Sequence, residues 1–341
     1  MDIDNDDNPT PNQSDFPKPL ASFHLIKKET EAYLPIASLI WPAPGTHFVA
    51  GTINRIDIFD VSRPDISLST QPFHTIPTIP STRFLTKGGG VGMRGTVSAL
   101  DAHPGVSEGW GFIAAGTWTR NLGLYDLSQA GQCVATWSVA PASGEQGIGG
   151  NGIVQVMWSP CGRYLVVNER RSTGLLVYDI RGTHQLLACL KGRDAQTNQR
   201  LSCDVFPGTG KVGGFEVWAG TKNGGVVVWE GIGNQEGSIE PSWDWEAHQA
   251  AVGSTALHMS GSVVATCSGS WEFVDEDESS ESESIDSSDS SSSSSDSEDA
   301  EQNSGKRVLT SRTRIVVPET SLKVWSIGSN TPPETDEGQT S

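Results

Sequence analysis

The residues of this sequence that could do chemistry are cations rather than nucleophiles. Arg55, Arg120, Arg170, Arg171, Arg193, Arg200 and Lys222 stand in polar stretches between apolar runs, and Arg120, Arg170-Arg171 and Lys222 fall at matching points of successive sequence copies. Guanidinium and ammonium groups presented in that way suit contact with phosphate oxygens. Asn198 and Gln199, beside Arg200, carry amides able to read base edges. Trp118 offers a face on which a base could stack, an interaction worth about 1–3 kcal/mol per base. Each arginine alone has a plainer reading as a solvated loop charge or the partner of a strand-end acid; clustering on one surface would separate the two.

Patterns that support catalysis are missing. His24, His47, His74, His103, His184, His248 and His258 form no H-x-x-x-H or H-E-x-x-H pair, and no G-x-S-x-G elbow presents a serine. His47, His103 and His258 read as turn or inter-strand hydrogen-bonding residues. The run Gly88-Gly89-Gly90-Val91-Gly92 lacks a following Lys-Ser/Thr, so it reads as a loop rather than a phosphate cradle. The expectation is a non-enzyme with no cofactor, no metal and no small-molecule substrate. Cys133, Cys161, Cys189, Cys203 and Cys267 are odd in number and contain no C-x-x-C pair, which fits small buried hydrophobes in a reducing compartment.

The elements that would position the cations are short strands. From Ile36 to Val61 the chain reads IASLIWPAPGTHFVAGTINRIDIFDV, and related copies run from Val97 to Leu127, Ile153 to Ile180 and Leu201 to Gly231. A fifth begins at Ser254, breaks off after Ser270 and resumes at Thr320 as TSLKVWSI. The strand-ending pairs Phe59-Asp60, Tyr125-Asp126, Tyr178-Asp179 and Trp229-Glu230 recur at intervals of 66, 53 and 51 residues. A four-stranded unit of this length cannot cover its own apolar faces, so such units must stack on one another. Alternation in RIDIFDV and the continuous apolar run GGVVVWE support strands, the latter covered on both faces. Turns such as Ser159-Pro160-Cys161-Gly162 suit hairpins, and amphipathic helices are not expected. The fold class predicted is all-β, a WD40-type β-propeller with five visible repeats over residues 21–328. Trp158, Trp218, Trp229 and Trp325 are placed in its core.

Charge is unevenly held. The net −18 includes 13 acids without a Lys or Arg in residues 272–301, five acids in the first 17 residues, and Glu334, Asp336 and Glu337, so the remaining body is about +3. Residues 1–20, the Ser/Asp/Glu-rich 272–304 and the tail 329–341 are predicted to be disordered, being too poor in apolar residues to offset ordering entropy. Ser279, Ser282 and Ser284, followed closely by acids, suit an acid-directed kinase; a solvated spacer is the other reading. The longest apolar runs are too short to cross a bilayer and the first residues are acidic, which predicts no membrane partner and a cytosolic or nuclear location.

The stretch TNQRLSCDVFPGTGKVGGFEVWAGTKNGGVVVW, Thr197 to Trp229, resembles the telomerase Cajal-body protein family of WD40 proteins. RNLGLYDL (Arg120 to Leu127) is similar to another element of that family. So is VVATCSGSWEF (Val263 to Phe273), followed as in the family by an acidic insertion and a strand ending in Trp325. The likeness runs from Ile36 to Ile327. It implies a seven-bladed propeller in the nucleus that binds a short element of small Cajal-body RNAs or telomerase RNA together with ribonucleoprotein partners. Fungal relatives are associated with spliceosomal particles. The competing expectation is a protein-only scaffold, in splicing or as a G-protein-β-like adaptor. Two departures stand out: five copies are visible rather than seven, which leaves a shortened, a divergent and an unclosed ring all open, and Ser159 occupies a turn where the family has histidine.

Overall fold

The computed structural model describes residues 21–27, 30–42, 44–62, 71–79, 92–105, 111–208, 213–270, 272–275, 313–316 and 319–327. Segments 1–20 and 329–341, most of 272–304, and with it Ser279, Ser282 and Ser284, lie outside them. The described chain is essentially all-β. Its first sheet is formed by β1 (Ser38–Ile40), β2 (His47–Thr52), β3 (Arg55–Asp60) and β4 (His74–Pro77) in chain order. The second holds β5 (Val97–Ala102), β6 (Phe112–Thr117), β7 (Asn121–Asp126) and β8 (Gln132–Ser138). The third holds β9 (Ile153–Trp158), β10 (Tyr164–Glu169), β11 (Leu175–Asp179) and β12 (Leu186–Leu190), and β16 (Gly237–Ile239) adds to β12 in parallel. The fourth is β13 (Cys203–Phe206), β14 (Phe215–Gly220), β15 (Gly225–Ile232) and β17 (Trp243–Glu246). The last has three strands, β18 (Val252–Leu257), β19 (Val263–Gly269) and β22 (Thr320–Ser326).

Two elements were not expected from the sequence. The first four residues of the predicted acidic insertion form β20 (Glu272–Asp275), paired antiparallel with β21 (Thr313–Val316), so the low-complexity run is rooted on a hairpin of β-branched and aromatic residues. A six-residue helix α1 (Ala140–Glu145), with Pro141 in its first turn, links the second and third sheets.

The repeat pattern explains why the sheets stack. In β15 alternate side chains serve two neighbours: Val227 and Trp229 pack with Val166, Leu175 and Val177 of the third sheet, while Val226 and Val228 pack toward Val252, Val264 and Trp325 of the last. Each such buried side chain stabilises the fold by about 1.5–3 kcal/mol relative to exposure. The innermost strands pack in chain order, β1 on β5, β5 on β9, β9 on β13 and β13 on β18, with no comparable packing joining β18 back to β1 among the described residues. Polar staples pin these seams. Ser38 Oγ donates to Val97 O at 2.7 Å and Ser98 Oγ to Ile153 O at 2.6 Å. The Asp101 carboxylate accepts from Trp158 N, and that of Asp204 from Leu257 N, each at 2.7 Å. Burial raises both carboxyls, Asp101 to about 6, although the backbone N–H donors pull against it.

Candidate interaction rims

Strand alternation sends the loops to two rims. Turns between second and third strands, with links between sheets, form one; loops between first and second and between third and fourth strands form the other. The predicted cations other than Arg193 lie on the first of these. At its junction of second and third sheets, the Arg170 guanidinium lies 4.7 Å from the ring centroid of Trp118, whose indole is 40% exposed. Gly152 makes this possible, since a Cβ there would come within 2.8 Å of the indole. Arg170 Nε is buried with no hydrogen-bond partner among the described residues. Arg120 forks onto Glu169 at 2.7 and 2.9 Å, and Arg171 beside it is exposed. Both adopt left-handed backbone, φ 63° and 56°, at turns where glycine or asparagine is easier.

Trp118, Arg120, Arg170 and Arg171 are thus brought together, while the remaining predicted residues have separate partners. Lys222 Nζ lies 3.2 Å from Asp194, which also accepts from Asn223 at 2.9 Å. Arg200 donates to Val154 O at 2.6 Å, Gln199 to Gly269 O at 3.2 Å, and Asn198 is exposed. Arg55 is paired with Asp57 at 2.7 Å. Arg193 is not a rim cation at all: it is 1% exposed and donates to Gly220 O, Asn168 Oδ1 and Leu201 O at 2.9, 2.8 and 3.0 Å. Its sequence position, just before the fourth copy, gave no sign of this.

The opposite rim holds the feature that sequence reasoning missed. Between the first and second sheets a cavity of about 470 Å³ is lined by Trp41, Pro42, His47, Asp101, His103 and Phe112. Trp41 is 61% exposed, its indole N–H held on Gly45 O at 2.7 Å. The signal in the sequence is the WPAPG that follows the first strand of the first copy. His103 bonds Gly162 O at 2.9 Å and His47 bonds Thr46 at 2.8 Å, the inter-strand and turn roles expected of them. In the last sheet His248 is a buried hub, bonding Thr266 at 2.7 Å and Glu319 at 3.0 Å, while Trp325 donates to the same Thr266 at 2.8 Å. The carboxyl of Glu319 is held well below its usual range, first by the Gln249 backbone N–H, then by Lys323, Ser321 and His248. Trp158, Trp218 and Trp229 are buried and Trp325 partly so; Cys189 and Cys203 are buried, whereas Cys161 is exposed in its turn, contrary to expectation. Among the described residues no three His, Cys, Asp or Glu side chains are grouped to hold a metal ion, and no helix is long and apolar enough to cross a membrane.

Radially stacked antiparallel sheets of about four strands, with loop-built rims, define a WD40-like β-propeller of five blades. Similar proteins carry the comparison further. The chain is 28% identical over 244 residues to human Telomerase Cajal body protein 1, covering 71% of this chain and 38% of that protein. It is 25% identical over 213 residues to the Guanine nucleotide-binding protein negative regulator 1 of Schizosaccharomyces pombe, covering 61% of this chain and 46% of that protein. Among solved structures, Sqt1 from Chaetomium thermophilum, bound to the N-terminus of the ribosomal protein L10, superposes with a TM-score of 0.50 at 15% identity, over 68% of this chain and 55% of that one. A second Sqt1 structure gives 0.51 at 14% identity, over 68% and 56%. No family model matches. The relationship to WD40 propellers is distant, and the chain spans less than half the length of the curated relatives it matches.

Proposed function

We propose that this chain is a non-catalytic WD40-type scaffold that grips a segment of a partner protein in the aromatic cavity between its first and second sheets. The observation that carries this reading is Trp41, exposed over a cavity of about 470 Å³ lined by prolines and apolar side chains together with His47, Asp101 and His103, where one side chain of a peptide could anchor. The pairing of Arg120, Lys222 and Arg55 with acids supports it, because cations already neutralised have little to offer a phosphate backbone. Sqt1, of similar fold, is described with a ribosomal-protein N-terminus bound. The test is co-purification after nuclease treatment, comparing the native chain with Trp41→Ala. Retained partners that are lost in the variant are expected; partners lost to nuclease alone would defeat the reading.

A second reading, a small nuclear or Cajal-body-type RNA assembly factor acting in the nucleus, is favoured by one observation. Arg170 over Trp118, with Arg171 exposed beside it, is a stacking platform flanked by a cation without an acid partner among the described residues. The 28% likeness to human Telomerase Cajal body protein 1 points the same way. Crosslinking and sequencing should recover structured small RNAs, and Arg170→Ala with Arg171→Ala should reduce that recovery. Undiminished recovery would remove the platform from this reading, and a tagged chain excluded from nuclei would remove the location.

A further inference from the structure

Four of the five stacked sheets have an outer fourth strand, and the third has a fifth; the last stops at three. Its outer strand β22 therefore presents an open edge among the described residues. The pairing with β19 says which backbone groups are free. Ile327 N donates to Ser262 O, and β22 is antiparallel to β19 with Val263 opposite Ser326. Alternation then turns the N–H groups of Trp325, Lys323 and Ser321 inward and those of Ser326, Val324 and Leu322 outward. The same strand leaves Leu322 71% and Val324 65% exposed on one face, while Lys323 and Trp325 turn to the other. A free ladder edge joined to exposed alternate apolar side chains is the arrangement to which an extended segment adds as a strand.

We propose that β22 accepts a strand from a partner protein, antiparallel, with apolar residues opposite Leu322 and Val324 and an acid between them, opposite Lys323. The acid follows from charge. Lys323 is half-exposed, and two of its three ammonium donors are taken, by Glu319 at 2.8 Å and the Ala247 carbonyl at 3.0 Å, so an opposed carboxylate would meet the one that remains. The same residue argues against a second copy of this chain, because two β22 strands paired over their whole length would set Lys323 against Lys323. The terminal segments are poor donors. Residues 328–341 have no apolar side chain and include Pro332-Pro333, and residues 1–20 carry four prolines. The third sheet shows that such recruitment suits this fold, since β16 reaches across from the fourth repeat to pair with β12. This surface is separate from the Trp41 cavity, so its loss leaves the cavity assay unmoved.

The probe is a labelled synthetic peptide, Thr-Thr-Val-Glu-Val-Thr-Lys, titrated against the full chain by fluorescence anisotropy, with amide exchange read at Leu322 and Val324. Binding should slow exchange at those two amides. Val324→Pro, which removes an outward donor and leaves the inward ladder intact, should weaken binding about tenfold, the equivalent of one lost hydrogen bond. Leu322→Lys, with every donor kept, should weaken it as well, and a peptide with Lys in place of its Glu should bind less tightly than the original. Unchanged thermal unfolding of either variant excludes misfolding as the cause. Equal affinity for all variants would overturn the proposal. So would amides already protected in the free chain with a doubled mass, which means a second copy, or tighter peptide binding after deletion of residues 1–20, which means the chain's own terminus.

Discussion

In the third sheet, Leu165, Val167, Leu176 and Tyr178 turn into the second sheet while Val166, Leu175 and Val177 turn into the fourth, and β16 closes its outer edge. In the last sheet, Val264 and Trp325 meet the fourth sheet, but on the opposite face Leu322 and Val324 stand 71% and 65% exposed. Both sheets come from the same repeat, a strand, a turn and a strand ending in an aromatic. What separates them is neighbours. A sheet of this kind draws most of its stability from the faces it shares, so one repeat pattern yields a rigid centre and a loosely held, receptive end.

Truncation of a core side chain should break this symmetry most visibly. Leu176→Ala, at a fully buried position, should cost about 2–5 kcal/mol in urea unfolding, whereas Leu322→Ala should stay within about 0.5 kcal/mol. Equal losses would mean that the last sheet is covered in solution. Next comes Arg193, which ties the third sheet to the fourth through three uncharged acceptors. Arg193→Met takes this donor from Gly220 O and Asn168 Oδ1, while Leu201 O keeps Asn168 Nδ2 at 2.8 Å, a loss of about 3 kcal/mol. A gain instead would show that the cation was a burden tolerated for another purpose.

How much of this was readable in the residues beforehand differs by position. The run GGVVVWE announced a strand buried on both faces, and β15 is one, because local alternation suffices when both neighbours are apolar. The strand ends at Asp60, Asp126 and Asp179 were likewise legible. Arg193 was not, since nothing in KGRDAQ records that carbonyls from positions 201 and 220 converge on it. Nor was the neutralisation of Arg120 by Glu169, 49 residues away, or the joint cavity of Trp41 and Phe112. Pairings across a seam depend on how two sheets abut, which a period of about 50 residues does not encode.

Acid should pull the two regions in opposite directions. Asp101, beside the third sheet, has a carboxyl raised by burial to about 6, so it contributes most below pH 4 and loses that contribution as pH climbs through 6. Glu319, in the last sheet, is held low by the Gln249 backbone N–H, Lys323, Ser321 and His248. Its contribution is present above its ordinary range, near 4.5, and is lost as pH falls below it. Exchange of β19 and β22 amides should therefore quicken on acidification below about pH 4.5 while the β5–β9 seam tightens. Glu319→Gln should abolish the first change, and Asp101→Asn should flatten the wild-type difference between pH 4 and 6. Parallel acid responses in both regions would contradict the assignment of opposing causes.

The smallest expected effect concerns the turn between second and third strands, which in the last sheet carries the long insertion and in the third sheet carries Arg171. Arg171 sits at φ 56°, where a side chain is strained, and it is exposed with no acid partner among the described residues to hold it there. Arg171→Gly should therefore stabilise the chain by about 0.5–1 kcal/mol. Arg120 has the same left-handed backbone, yet Arg120→Gly should destabilise, because the buried Glu169 would lose its forked partner. If the two substitutions act with opposite sign, the strain at Arg120 is offset within the fold and the strain at Arg171 is not. A side chain kept at a cost to folding, on the rim that also bears Trp118 and Arg170, is then most simply explained by what that rim binds.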